Sequence, residues 1–320
     1  MQISRFQRIL VCWNGARKDM LPLVGRIAVM DGATVRLMAC LPDPPAYRSM
    51  AVPNYSELAD LAREALEEQL NGAVRRLSAR GVTADWVISK CFADNALLRE
   101  LEAQTYDLVM VAAQKQGTRY TAYSSTVQLM RQASCPVWVV RPGHLRTTAR
   151  VLAAVAADGP QELNMRLLFT ASTLATKLQR ELHVLSVWNA CGESMLRGHP
   201  LVPIHAEDVR RYHEDIRAQC AGSLRRLVGH SGLAIDHRRM HIIKGDPRRV
   251  IPQFCHENGI AVLVMGTVAR TGLIGALLGN TAEKIAKALP ATLVSVGPLS
   301  AGTGAAEHLE RNATPQARAL

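Results

Sequence analysis

The sequence is poor in several features that announce common classes of protein. Aromatic residues make up only 4% of it, few for a surface that binds single strands by base stacking. No CxxC occurs. The seven cysteines (Cys12, Cys40, Cys91, Cys135, Cys191, Cys220 and Cys255) are odd in number and widely spaced, which argues against a secreted disulfide framework. Cys12, Cys40 and Cys91 fall in or near strand ends and read as small buried thiols. No run approaches the roughly 18 apolar residues that cross a bilayer. The longest, Leu108–Ala113 and Ile260–Gly266, read as buried strands. Met1–Arg8 is mostly polar, and the Ile9–Trp13 run behind it is too short for a signal-peptide core. A soluble, cytoplasmic protein is the expectation.

Acidic residues are the minority charge, 27 Asp+Glu against 38 Lys+Arg, for a net +11. That balance admits nucleic acid or anionic surfaces as partners. The basic pairs, however, Arg75-Arg76, Arg210-Arg211, Arg225-Arg226, Arg238-Arg239 and Arg248-Arg249, are scattered and read as solvated faces. No membrane partner is expected, and nucleic acid is a weak alternative. What remains is an ordinary globular composition, 48% hydrophobic and 20% charged, over 320 residues. That length suggests two domains.

Two segments match at a constant offset of 155 residues: Asp107-Leu-Val-Met-Val111 through Ser124-Ser-Thr126 to Val140, and Val262-Leu-Val-Met-Gly266 through Gly279-Asn-Thr281 to Ser295. Arg8-Ile-Leu-Val11 likewise matches Arg150-Val-Leu-Ala153 at an offset of 142. The chain reads as two copies of one unit: residues 1–145 and 146–298, then a tail, 299–320, rich in Ala, Gly and Thr and expected to be mobile. Apolar runs predict strands at 8–13, 34–40, 84–90, 107–113 and 136–141, and again at 150–156, 182–188, 237–243, 261–266 and 291–296. Helical spacing predicts helices near 17–31, 57–80, 94–104 and 124–133, and near 160–178, 206–229, 247–257 and 280–288. Strands that alternate with helices make an α/β fold, here two tandem doubly wound parallel five-stranded sheets. Ligands of such units sit beyond the carboxyl ends of the strands.

The most informative stretch runs from Val264 through Gly266, Gly272, Gly275 and Gly279 to Lys284. It leaves a strand and enters a helix. Glycines permit close backbone approach, and a helix start offers free N–H groups that suit phosphate. The segment is neither a Walker A loop nor a GxGxxG fingerprint. A phosphate cradle and a glycine-punctuated structural loop both fit its spacing. Gly245-Asp246-Pro247 reads as a turn and helix start, with Asp246 as N-cap and Pro247 at the first helical position. His213 and Cys220, seven apart on one helix face, are a packing pair before they are zinc ligands.

The repeat, the GTVARTG and LGNTAEKI runs and Lys244-Gly-Asp-Pro247 together resemble the universal stress protein family, and within it the tandem two-domain E subclass, over residues 5–297. The resemblance implies the adenine nucleotide alpha hydrolase-like fold and binding of an adenine nucleotide, ATP first among them, in copy two. Family binders carry Gly-x-x-Gly, nine residues, then Gly-Ser/Thr. Here the corresponding positions are Gly266, Ala269, Gly279 and Asn280, followed by Thr281. The implied cleft is lined by Ala156, at the place where the family often has Asp, by Asp158 two residues on, and by Val187, Met265, Gly266, Val268 and Ala269. Gly279, Asn280 and Thr281 meet the phosphates. Arg270 either reaches an outer phosphate or is a solvated loop residue. Copy one is degenerate, with Val111, Gln114 and Ser124 at the corresponding places and only Gly117 surviving in its loop. It is expected to complete an intramolecular pseudo-dimer, and a homodimer is a further option. No positioned general base is visible, so the expectation is a stress-response protein without efficient catalysis. A carrier of some other ligand, an interaction scaffold and a slow nucleotide hydrolase are the alternatives.

Overall fold

The computed structural model describes residues 5–13, 20–41, 55–89, 93–116, 119–121, 124–141, 150–189, 205–267, 280–288 and 290–297. The first half runs β1 (Arg8–Trp13), α1 (Leu21–Asp31), β2 (Thr34–Cys40), α2 (Tyr55–Ser78), β3 (Ala84–Ser89), α3 (Ala93–Ala103), β4 (Leu108–Ala112), a hairpin of β5 (Gln114–Gln116) and β6 (Arg119–Thr121), α4 (Ser124–Gln132) and β7 (Val137–Val140). The second half repeats it with β8 (Arg150–Val155), α5 (Gln161–Leu178), β9 (Leu182–Trp188), α6 (Ala206–Ser231), β10 (Met240–Lys244), α7 (Pro247–Glu257), β11 (Ile260–Gly266), α8 (Asn280–Lys287) and β12 (Thr292–Val296). The predicted elements are all present, with ends displaced by a few residues. The predicted strand at 237–243 instead opens with a 3-10 turn over His237–Arg239, because the Asp236 carboxylate accepts from Arg238 N and caps it. Gly81, at φ +79, stops α2 through the left-handed conformation that a side chain would resist.

The two expected five-stranded sheets are joined. One ten-stranded sheet has the order β10-β9-β8-β11-β12-β7-β4-β1-β2-β3. All its neighbours are parallel except β12 and β7, which pair antiparallel through Leu293↔Val139, Val294↔Trp138 and Ser295↔Val137. The strands of one half therefore point opposite to those of the other. The central strands are nearly unbroken apolar runs, as burial on both faces demands. Their outward alternation divides the interior into two cores. Ile9, Val11, Leu37, Trp138, Ala153, Val264 and Val294 face α1, α2, α5 and α6. Leu10, Val109, Val137, Leu152, Leu185, Leu263 and Leu293 face α3, α4, α7 and α8. Each core passes without a break from one half into the other.

Polar groups also cross the seam. Arg141 N donates to Thr292 Oγ1 at 3.1 Å, and Arg131 pairs with Glu283 at 3.2 Å. Lys177, near the end of α5, donates to Asp31 at the end of α1, with both side chains under 5% exposed. The second Asp31 oxygen accepts from Phe6 N at 2.9 Å, and the Phe6 ring lies 5.1 Å from Lys177 Nζ. No helix among the described residues is long and apolar enough to cross a membrane.

Candidate functional site

In the second half the strand order reverses between β8 and β11, and it is at the carboxyl ends of such a pair that doubly wound folds place their crevice. The chain leaves β8 for α5 on one face and leaves β11 for α8 on the other. The structure brings Ala156, Asp158, Met265, Gly266 and the first turn of α8, with Thr281, to this edge. Val268, Ala269, Arg270 and Gly279 lie outside the described residues, as does the side chain of Asn280.

The turn after β8 is held by the protein itself. Asn164, one turn into α5 and 3% exposed, accepts from Ala156 N at 3.2 Å and donates to Ala156 O at 2.6 Å. Ala157 N donates to the buried Ser186 hydroxyl at 3.2 Å, and Gly159 N to Ala156 O at 2.8 Å. Three of the four amides between 156 and 159 are thus satisfied internally. Asp158 stands exposed at the tip of the turn. The sequence pattern missed Asn164 and Ser186. The signal for Asn164 is a polar residue beside Leu163, Leu167 and Leu168, on the buried side of an otherwise apolar helix stripe.

Gly266 closes β11 under α5. A Cβ built there would lie 3.2 Å from Leu163 Cδ2 and 3.8 Å from Leu167 Cδ1. Helix packing therefore gives this glycine a reason of its own. Val187 and Met265 are buried in the opposite core, with α7 and α8. Thr281 is partly exposed in the first turn of α8, where a helix presents unpaired N–H groups. Arg166, also on α5, brings a cation to this edge. Its Nη1 donates to Gly297 O at 2.5 Å, and burial lowers its pKa.

At the neighbouring strand ends, Lys244 Nζ lies 3.0 Å from His213 Nε2 and 5.9 Å from the Trp188 ring centre. His213 is thus occupied by Lys244 and Trp188. No group of three or more His, Cys, Asp or Glu among the described residues could hold a metal ion. The Asp246 cap forms as expected, accepting from Arg248 N at 2.9 Å with Pro247 opening α7. Hydrogen bonds from Arg248 hold the Asp246 carboxyl down to about 2.

The first half differs at the equivalent edge. Val111, in the place of Gly266, is buried in β4. Gln114 begins a short polar hairpin that packs against α8 of the other half, and Ser124 opens α4. Gly117 lies outside the described residues. Cys12 and Cys40, near the ends of β1 and β2, are partly buried, and burial together with Cys40 raises the Cys12 thiol to about 12. That is the range of an inert protonated thiol.

A model of the universal stress protein family matches residues 5–141 and again 151–296. The chain is 32% identical over 212 residues to a universal stress protein E homolog of Haemophilus influenzae, a match covering 64% of this chain and 66% of that protein. It is 28% identical over 216 residues to universal stress protein E of Escherichia coli K12, covering 63% and 64%. It thus spans just under two thirds of the length of these relatives. A functionally unknown protein of Pseudomonas aeruginosa PAO1 shares the fold at a TM-score of 0.66 and 22% identity, covering 92% of this chain and 93% of that one. A universal stress protein of Archaeoglobus fulgidus does so at 0.61 and 16%, covering 91% and 98%. With the family pattern matched in each half and the two halves joined through one sheet, this chain belongs to the universal stress protein family as a tandem of the E type.

Proposed function

We propose that the second half binds an adenine nucleotide, ATP first among the candidates, at the carboxyl ends of β8 and β11, and that it does so without efficient turnover. The observation that carries this reading is the route of the chain. From Gly266 a glycine-rich connection of family spacing leads into the start of α8, beside the reversal of strand order. The phosphates would meet the N–H groups and Thr281 hydroxyl at that helix start, where the helix dipole favours negative charge. Arg166 adds positive potential from α5. Asp158 is the group at the β8 end that remains free to reach a base or ribose, because the backbone amides around it are engaged by Asn164 and Ser186. The first half completes an intramolecular pseudo-dimer and binds no phosphate chain.

Isothermal titration with ATP, ADP and cyclic AMP tests the proposal. Saturable heat from an adenine nucleotide, abolished by the pair Gly279→Asp and Asn280→Asp, is the expected result. No heat from any of the three at millimolar concentration overturns it. A second reading, a carrier or scaffold for a non-nucleotide guest, draws on the closure of Leu163 over Gly266 and on the engaged amides of the β8 turn. Native mass spectrometry of freshly purified protein separates the two by the mass that travels with it.

A further inference from the structure

The amino ends of the strands, opposite the cleft in each half, carry a second polar assembly, and there the two halves diverge. The register pairs Leu10 with Arg36 and Leu152 with His183, each two residues beyond the arginine that opens β1 or β8. Arg36 and His183 therefore occupy equivalent places. In the first half Arg36 meets Asp85 at 2.5 Å and Glu100 at 3.3 Å, a guanidinium with two carboxylates and no imidazole. In the second half His183 Nδ1 lies 3.0 Å from His241 Nε2 on the edge strand β10, with the rings nearly parallel.

A hydrogen bond between two imidazoles needs one nitrogen with its proton and one without. Its surroundings favour the neutral pair. His183 is 8% exposed, and its Nε2 is buried without a hydrogen-bond partner. From α7, Phe254 covers His241 with ring centres 4.7 Å apart, and the adjacent Cys255 thiol is pushed up to about 12, so it supplies no charge. From β8 and the 3-10 turn come two cations, Arg150 and Arg239. The carboxylate in reach, Glu181, stands 3.7 Å from His183 Nε2, but Arg239 at 2.9 Å and Arg150 at 3.4 Å already answer it. Burial and the nearby Arg150 lower the pKa of both rings.

We propose that His183 and His241 form an acid-sensitive clasp that holds β10 on the sheet at neutral pH and releases it in acid. Protonation of both rings turns the acceptor into a second donor and sets two positive charges 3.0 Å apart beside two arginines. Both rings are protonated together readily only when β10 lifts and the buried His183 reaches water, His241 being partly exposed already. The closed strand binds fewer protons than the open one, so closure is favoured above about pH 6.5 and weakens as the pH falls below it. Because β10 leads directly into Lys244 and the Gly245–Pro247 turn, acid would loosen the carboxyl edge of the second half while leaving the first half intact. The clasp does not depend on the nucleotide reading.

Hydrogen exchange of the full chain tests it, comparing peptides that report β10 with those that report the opposite edge strand β3. After correction for the intrinsic pH dependence of exchange, each ring that titrates only on opening raises the opening constant by up to about tenfold per pH unit below the open-state pKa. Between pH 6.5 and 5.5, a step that starts at the open-state pKa, each ring contributes at most about sixfold, so β10 is expected to gain about 10- to 30-fold, and β3 less than about twofold. His241→Gln retains a hydrogen-bonding side chain and should cut the gain at β10 to about sixfold or less. Equal responses at β10 and β3, or an unchanged response in His241→Gln, overturn the proposal.

Discussion

The ion pair that crosses the seam offers a severe test of how the halves are held together. Lys177→Met keeps the length and packing of the side chain but removes the charge that faces Asp31. The carboxylate would stay buried, under 5% exposed, with the Phe6 amide at 2.9 Å as its remaining donor among the described residues. Leaving one member of a buried pair uncompensated costs about 3–5 kcal/mol. Asp31→Asn in the same chain restores most of that loss, because the asparagine oxygen still accepts from Phe6 N and no bare charge remains. Urea unfolding followed by far-UV circular dichroism and tryptophan fluorescence would measure Lys177→Met, Asp31→Asn alone and the double variant. Trp138, fully buried in β7 at the seam, reports directly on it. The expected signature is a coupling of at least about 2 kcal/mol between the two sites. A loss under about 1 kcal/mol in Lys177→Met, or a double variant no better than the sum of its parts, would refute the reasoning.

Three further substitutions probe the second half. Asn164→Leu strands the Ala156 amide, leaves its carbonyl only the Gly159 donor, and should cost about 1–3 kcal/mol, while protease susceptibility rises at the 156–159 turn. Gly245→Ala places a Cβ 2.7 Å from Val250 Cγ2 at a backbone φ of +150; a loss of about 2 kcal/mol or more is expected, and Val250→Ala should recover the clash but not the backbone strain. Asp246→Ala removes the cap of α7 at a cost of about 1 kcal/mol. Because the native carboxyl pKa is lowered from 3.8 to about 2, the gap between wild type and variant should hold above pH 4 and close as the pH falls through about 2. Denaturant midpoints measured across pH check it.

Much of this architecture is written locally. Runs such as Leu108–Ala112 and Ile260–Gly266 are apolar at consecutive positions, which few structures other than a central parallel strand tolerate. The constant offset between the halves then fixes their equivalence. The joining of the two sheets is not legible in the same way. Val137–Val140 and Thr292–Val296 announce buried strands, but nothing in either run specifies that the last neighbour is the other half. The hairpin Gln114–Thr121 is short and polar and carries no two-residue periodicity strong enough to predict it. The candidate site was legible as a spacing of glycines and illegible as a set of partners. Asn164 with Ala156, Lys177 with Asp31 and His183 with His241 are separated by 8, 146 and 58 residues, and only the fold selects them.

The pairing of β7 with β12, the one antiparallel junction in the ten-stranded sheet, has a consequence for anything that visits this molecule. It turns one half upside down relative to the other, so the two switch points present their carboxyl edges at opposite ends of the sheet, about 20 Å apart along the strands and four strands, about 19 Å, apart across them. Guests lodged in them could not touch, compete or be bridged by one small compound. Whatever reads both must be large enough to reach around the rim, and whatever reads one approaches from a side the other never sees.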